Sequence, residues 1–86
     1  MNPRKKKILY KSQNRGTKEM DILIGNYAEK YLDTMSACEL LFFESLINER
    51  DLDLYDWITC AKTLPKRLAH PLMHDIINYN RDSMKN

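Results

Sequence analysis

Apolar residues recur at the spacing of an α-helix along most of the chain, and this pattern limits the possible folds more than any other feature. Met20, Ile24 and Tyr27 fall on one face of such a helix, and Leu40 and Phe43 fall on another. No stretch alternates apolar and polar residues as a half-buried strand would, and only two glycines and three prolines interrupt the chain. The pattern predicts an all-α fold, a small single-domain bundle of about five helices.

Capping signals predict where these helices begin. Ser36 and Glu39 have the spacing of a capping box, which marks the start of the third helix. Ile8–Ser12 is predicted to form a short first helix. Residues that favour a helix start precede the other three helices: Thr17, Asp53 and Pro71.

Length limits how such a bundle can act. The 86 residues form one predicted domain, 1–86, with a radius of gyration of about 12 Å. A domain of this size cannot enclose a dinucleotide, so its function is expected to lie on its surface. Residues 1–7, a basic arm, and residues 82–86, a polar tail, are predicted to be flexible.

The net charge of +2 conceals an uneven distribution. Residues 1–18 carry seven basic and no acidic side chains, whereas residues 19–56 carry ten acidic and two basic ones. A basic arm on an acidic body can be a solvated tail, steer the chain toward an acidic partner, pack on its own body, or contact nucleic acid. The chain has no apolar stretch near the ~20 residues of a transmembrane helix, so no membrane span is predicted.

The acidic segment 51–56 superficially suggests a calcium loop. Its sixth position is Asp56 where such a loop needs glycine, and its twelfth is Lys62 where it needs glutamate. The segment is therefore predicted to be an acidic helix start, with a negative docking patch as the alternative.

The histidines and cysteines also fail to match known sites. His70 and His74 are four residues apart but lack the His-Glu-x-x-His pattern, and they are predicted to be surface residues. Cys38 and Cys60 lack Cys-x-x-Cys spacing and are predicted to be free thiols. With no nucleophile and base to pair, we predict no catalytic residue, no metal and no enzyme.

Residues with the chemistry of a recognition site lie where the first helix meets the second. Arg15 offers five donors to a carboxylate or to carbonyls, and Gly16, able to adopt positive φ, is predicted to form the turn. Glu19 can accept hydrogen bonds from a partner or simply complement the helix dipole, as can Asp21. From these residues alone, a capped helix start without further function is favoured over a recognition site.

The segment Arg15-Gly16-Thr17-Lys18-Glu19 resembles the Arg-Gly-x-x-Glu motif of the succinate dehydrogenase FAD assembly factors, the SdhE or flavinator family. The resemblance extends to residues 51–57, which are similar to the family's acidic Asp-Leu-aromatic-x-Trp segment, and the chain length agrees.

The resemblance implies an assembly chaperone that binds the flavoprotein subunit of succinate dehydrogenase, and in some bacteria of fumarate reductase, and promotes covalent FAD attachment. It implies that FAD and its ligand histidine belong to the partner, so no cofactor is expected on this chain. Arg15, Gly16 and Glu19 would line the contact surface, with Asp21 beside it. Trp57 is predicted to hold the bundle together, or to join the interface through an exposed edge.

The alternative is a small basic-armed helical regulator that binds nucleic acid or another acidic partner, and it rests on residues 4–7. We expect a bacterial cytoplasm rather than a mitochondrial matrix, because a matrix precursor normally carries a longer leader rich in Ser and Arg.

Overall fold

A computed structural model describes residues 2–84, with side chains through Asp82. Within that range the chain forms five helices and no strand, which confirms the predicted all-α bundle. They are α1 (Pro3–Gln13), α2 (three contiguous segments: α-helical Lys18–Met20, π-helical Asp21–Gly25 and α-helical Asn26–Tyr31), α3 (Ala37–Leu46), α4 (Asp51–Ile58) and α5 (Pro71–Met84). The radius of gyration is 12.0 Å. No helix in the described range is both long and apolar enough to cross a bilayer.

The predicted caps of α2 and α3 are confirmed. The Thr17 side chain accepts a hydrogen bond from the backbone N–H of Met20. In α3 the Ser36 hydroxyl accepts from the Glu39 N–H at 3.2 Å, and the Glu39 carboxylate accepts from the Ser36 N–H at 2.9 Å. This reciprocal pair satisfies two backbone donors that would otherwise lack partners.

Helix α1 begins earlier than the sequence predicted. Asn2 caps it by accepting from the Lys5 N–H at 2.8 Å, and Pro3 occupies the first turn, where its missing N–H has no effect. Residues 3–7, predicted as a flexible arm, are therefore helical, while Met1 lies outside the described residues. The basic side chains of this segment are thus held on an ordered surface.

The predicted boundaries of α4 and α5 also need correction. Helix α4 begins at Asp51, three residues earlier than a cap at Asp53 predicted, with Arg50 as its N-cap residue and no side-chain cap bond. Asp53 lies in its first turn. Helix α5 does begin at Pro71, as predicted, and it continues through Met84. The predicted flexible tail 82–86 is therefore helical to residue 84, and its last two residues lie outside the described range.

The apolar faces of all five helices meet in one core. Phe43, Ile24, Leu54 and Met73 are all fully buried there. Asn80 is one of the few buried polar residues, and its amide donates to the Leu23 carbonyl at 3.0 Å and to the Ile76 carbonyl at 2.9 Å. Leu23 lies in the π-helical segment, so Asn80 satisfies a carbonyl in a helix of irregular register.

Candidate functional site

Arg15 lies between α1 and α2, and its guanidinium bonds to the connection between α3 and α4. Its Nε donates to Asp51 Oδ1 at 2.5 Å, and its Nη2 donates to the Glu49 carbonyl at 2.7 Å. Its Nη1 donates to the Ile47 carbonyl. The side chain is only 9% exposed. Arg15 therefore donates hydrogen bonds to carbonyls after the C-terminal end of α3 and pairs with a carboxylate at the start of α4. These bonds fix the position of both helices.

Gly16 and Asp21 complete this arrangement. The Gly16 N–H donates to Asp51 Oδ2 at 3.1 Å, and the Arg15 N–H donates to Asp21 Oδ1 at 2.8 Å. Gly16 does not use the positive φ that glycine allows. A Cβ at this position would lie 3.0 Å from Asp51 Oδ2, so any other residue would push this carboxylate aside by a few tenths of an ångström. The three residues Arg15, Gly16 and Asp21 are thus brought together, as predicted, through contacts within the chain.

Glu19 lies beside them in the first turn of α2 and is exposed. Within residues 2–82 its carboxylate makes no ion pair and no side-chain hydrogen bond. It borders a groove of about 400 Å³ lined by Thr17, Glu19, Met20, Asp51, Leu52 and Tyr55. Of the four predicted residues of the motif region, Glu19 is the one whose charged group is free to meet a partner.

Two apolar side chains of this groove, Leu52 and Tyr55, were not predicted as site residues. Leu52 is 69% exposed and Tyr55 is 42% exposed, although both belong to types that usually avoid such exposure. Helical spacing could have identified them. The buried face of α4 consists of Leu54, Trp57 and Ile58, which leaves Leu52 and Tyr55, three residues apart, on the opposite face. We define the corner surface as Gly16, Thr17, Glu19, Leu52 and Tyr55.

Trp57 belongs to the core and not to the corner surface. It is 8% exposed and lies on the buried face of α4, although Tyr55 of the corner surface is only two residues before it in the same helix. Of the two roles predicted for Trp57, its position supports the one in which it holds the bundle together. Its outer edge borders a separate groove of about 560 Å³ that also includes Cys60 and Arg81.

The residues considered for metal binding have other surroundings. The segment 51–56 lies in α4 and forms no loop. His70 Nδ1 accepts from the Leu72 N–H at 3.0 Å, and its ring stacks on Phe42 at 4.3 Å, so this histidine caps α5. Cys38 and Cys60 are free and exposed. In the part of the chain that the structure describes, no group of three or more His, Cys, Asp or Glu residues could hold a metal ion.

Comparison with known proteins places this chain among proteins that assemble succinate dehydrogenase. Residues 6–80 match the profile of a family described as the flavinator of succinate dehydrogenase. An FAD assembly factor SdhE from Acetobacter pasteurianus is 35% identical over 78 residues, which are 91% of this chain and 72% of that protein. A mitochondrial succinate dehydrogenase assembly factor 2 from Mycosarcoma maydis is 33% identical over 92% of this chain, and the 2-B form from Drosophila ananassae is 36% identical over 96%.

The chain spans 36% of the Mycosarcoma protein and 50% of the Drosophila protein, so it corresponds to only part of these mitochondrial relatives. The matched region nevertheless includes the corner surface and all of α4. The family is named for assembly and not for a reaction, which agrees with the prediction that this chain is not an enzyme. The chain belongs to the flavinator family of succinate dehydrogenase assembly factors.

Proposed function

We propose that the chain binds the flavoprotein subunit of succinate dehydrogenase through the corner surface and thereby promotes covalent attachment of FAD to that subunit. The observation that carries the proposal is the exposed Glu19 carboxylate beside two exposed apolar side chains, Leu52 and Tyr55. Partially exposed aromatic and aliphatic side chains around a groove are typical of the centre of a protein interface. The family's association with flavination supports the choice of partner.

The corner surface suggests what the partner must present. Glu19 suits a cationic or hydrogen-bond-donating group, and the groove beside Leu52 and Tyr55 suits an apolar side chain. Arg15, whose donors are bonded within the chain, acts by holding Asp51 and the start of α4 in place. Gly16 keeps the backbone close to Asp51 and adds no side chain between the two helices.

In this proposal FAD and the residue that becomes linked to it remain with the flavoprotein. The chain contributes binding and orientation, holding its partner in an arrangement in which the covalent bond forms. We extend the proposal to the flavoprotein of fumarate reductase as a second client, and to a bacterial cytoplasm as the compartment. The relative of which this chain covers 72% is a bacterial protein, which supports that choice.

The direct test is covalent flavin formation on purified apo flavoprotein, read by in-gel flavin fluorescence with and without this chain. We expect the flavin fluorescence of the flavoprotein to increase when the unaltered chain is present. The Glu29→Ala variant, a control at another exposed glutamate of α2, is expected to give the same increase. Glu19→Ala is expected to lose most of the increase. The same assay on fumarate reductase flavoprotein tests the second client. Equal fluorescence with and without the chain would contradict the proposal.

A further inference from the structure

Helix α1 carries five basic residues and no acidic one, and the structure divides the five into two groups. Arg4 and Lys5 bond to other parts of the chain: Arg4 pairs with Glu44 at 3.1 Å, and Lys5 Nζ donates to the Asp33 carbonyl at 2.8 Å. Lys6, Lys7 and Lys11 are exposed, and within residues 2–82 they form no ion pair and no side-chain hydrogen bond. Among the described residues, these three lysines therefore add no ion pair and no side-chain hydrogen bond to the fold.

Lys6 and Lys7 also gain nothing from the helix dipole. The N-terminal end of a helix carries partial positive charge, so cations near it are unfavourable. Helix α1 has no acidic residue in its first turn to offset Lys6 and Lys7, whereas Lys11 lies in the last turn, where a cation is favourable. The two lysines near the N-terminus, which the fold neither pairs nor favours, indicate a role outside the fold.

The exposed cations surround an aromatic residue. Tyr10 is 68% exposed and lies one helical turn from Lys6 and Lys7, next to Lys11. We define Lys6, Lys7, Tyr10 and Lys11 as the α1 basic face. The helix ends at Gln13, three residues before Gly16, so the C-terminal end of α1 is next to the corner surface in the sequence.

We propose that the α1 basic face steers the chain onto a carboxylate-rich surface of the same flavoprotein that the corner surface contacts. This inference rests on the proposed function. Charge complementarity determines the partner's chemistry, because exposed lysines with no internal partner attract carboxylates over a distance of about 10 Å at ordinary salt. A protein partner is favoured over nucleic acid because Tyr10 is the only aromatic residue among these lysines and only residues 14–15 separate α1 from the corner surface.

Steering by exposed charges acts on the rate of association and much less on dissociation. The test measures both rate constants for purified apo flavoprotein by surface plasmon resonance, at about 25 mM and about 400 mM NaCl. The variant is Lys6→Glu/Lys7→Glu/Lys11→Glu. The matched control, Lys30→Glu/Lys66→Glu/Arg81→Glu, makes the same change in net charge at exposed positions outside α1.

We expect the α1 variant to associate about tenfold more slowly than the control at low salt, with dissociation within about twofold. The difference is expected to disappear at high salt. Glutamate at positions 6 and 7, near the helix N-terminus, favours the helix, whereas glutamate at position 11, in the last turn, opposes it. Circular dichroism of the variant and the control therefore checks that both retain the same helix content.

Equal association rates for the two variants would overturn the inference, as would an effect confined to dissociation. A single-stranded RNA 20-mer that binds the chain through these lysines, while flavoprotein association is unchanged, would assign the face to nucleic acid instead. If Glu19→Ala weakens binding and the α1 variant behaves like the control, the proposed function stands and the steering inference fails. If the unaltered chain does not bind the flavoprotein, both fail.

Discussion

The corner around Arg15 and the basic face of α1 both contain basic side chains, but their surroundings are opposite. Arg15 is largely buried and bonds to Asp51 and to the Ile47 and Glu49 carbonyls. Lys6, Lys7 and Lys11 are exposed and make no such bonds among the described residues. The comparison teaches that the arginine of the motif holds two helices together, whereas the exposed groups without an internal partner are the ones we propose for binding.

The largest expected effect is on stability, and it comes from Arg15→Ala. The change removes three hydrogen bonds made by a buried guanidinium, leaves two carbonyls without this donor and leaves Asp51 without its cation, so we expect a loss of about 3 kcal/mol in the free energy of unfolding. Urea denaturation measures it. Lys11→Ala, which removes an exposed cation four residues earlier, is the control and should change stability by less than about 0.5 kcal/mol. Equal losses would show that Arg15 does not organise the corner.

The second effect is on binding, and it comes from Glu19→Ala. Because Glu19 has no internal partner, unfolding should change by less than about 1 kcal/mol, which is the helix-dipole contribution. Binding to the apo flavoprotein should weaken by about 2 kcal/mol, or about thirtyfold, as for an interface anchor. Isothermal titration calorimetry measures the affinity, with Glu29→Ala as the control. A Glu19→Ala variant that loses stability but retains affinity would reverse the roles given to Arg15 and Glu19.

A smaller effect is expected from Gly16→Ala. The added Cβ would lie 3.0 Å from Asp51 Oδ2, so the carboxylate must shift and its bonds to Arg15 and Gly16 must weaken. We expect a loss of about 1 kcal/mol in unfolding free energy. In an Asp51→Ala background the same substitution should cost much less, because the crowded atom is gone. If Gly16→Ala lowers the free energy of unfolding equally in both backgrounds, the Asp51 carboxylate does not explain why glycine is favoured at position 16.

The smallest effect concerns pH and compares a buried tyrosine with an exposed one. Burial, and then the nearby Asp75 carboxylate, raise the pKa of Tyr27 above its ordinary value of 10.0. The unfolded state therefore ionises first, and the stability linked to this group is present below pH 10 and is lost as the pH rises above it. Tyr27→Phe should reduce the loss of stability between about pH 9.5 and 11. Tyr10→Phe, on the α1 basic face, should leave the loss of stability over this pH range unchanged.

Much of the fold could be predicted because its signals are local. The Ser36–Glu39 capping box, the Thr17 cap and the proline at the start of α5 each depend on residues within one turn. The start of α4 could not be predicted in this way. It depends on Asp51 bonding to Arg15, which lies 36 positions earlier in the chain. The π-helical turn of α2 likewise accompanies a bond from Asn80 to Leu23.

The candidate site shows the same division. Arg15, Gly16, Glu19 and Asp21 lie close together, as residues of one short motif must, but the sequence does not show that the Arg15 guanidinium bonds within the chain. The apolar part of the corner surface follows from the helical spacing of α4. The predicted site included only Trp57 of that helix, which lies on its buried face.

Hydrogen exchange of the chain with and without apo flavoprotein, resolved to short peptides by mass spectrometry, tests the central claim most directly. The account predicts that the partner slows exchange in peptides covering residues 15–22 and 51–55, which contain the corner surface. It predicts little change around Cys60 and the adjacent groove. Protection that appears at that groove and not at residues 15–22 would contradict the account.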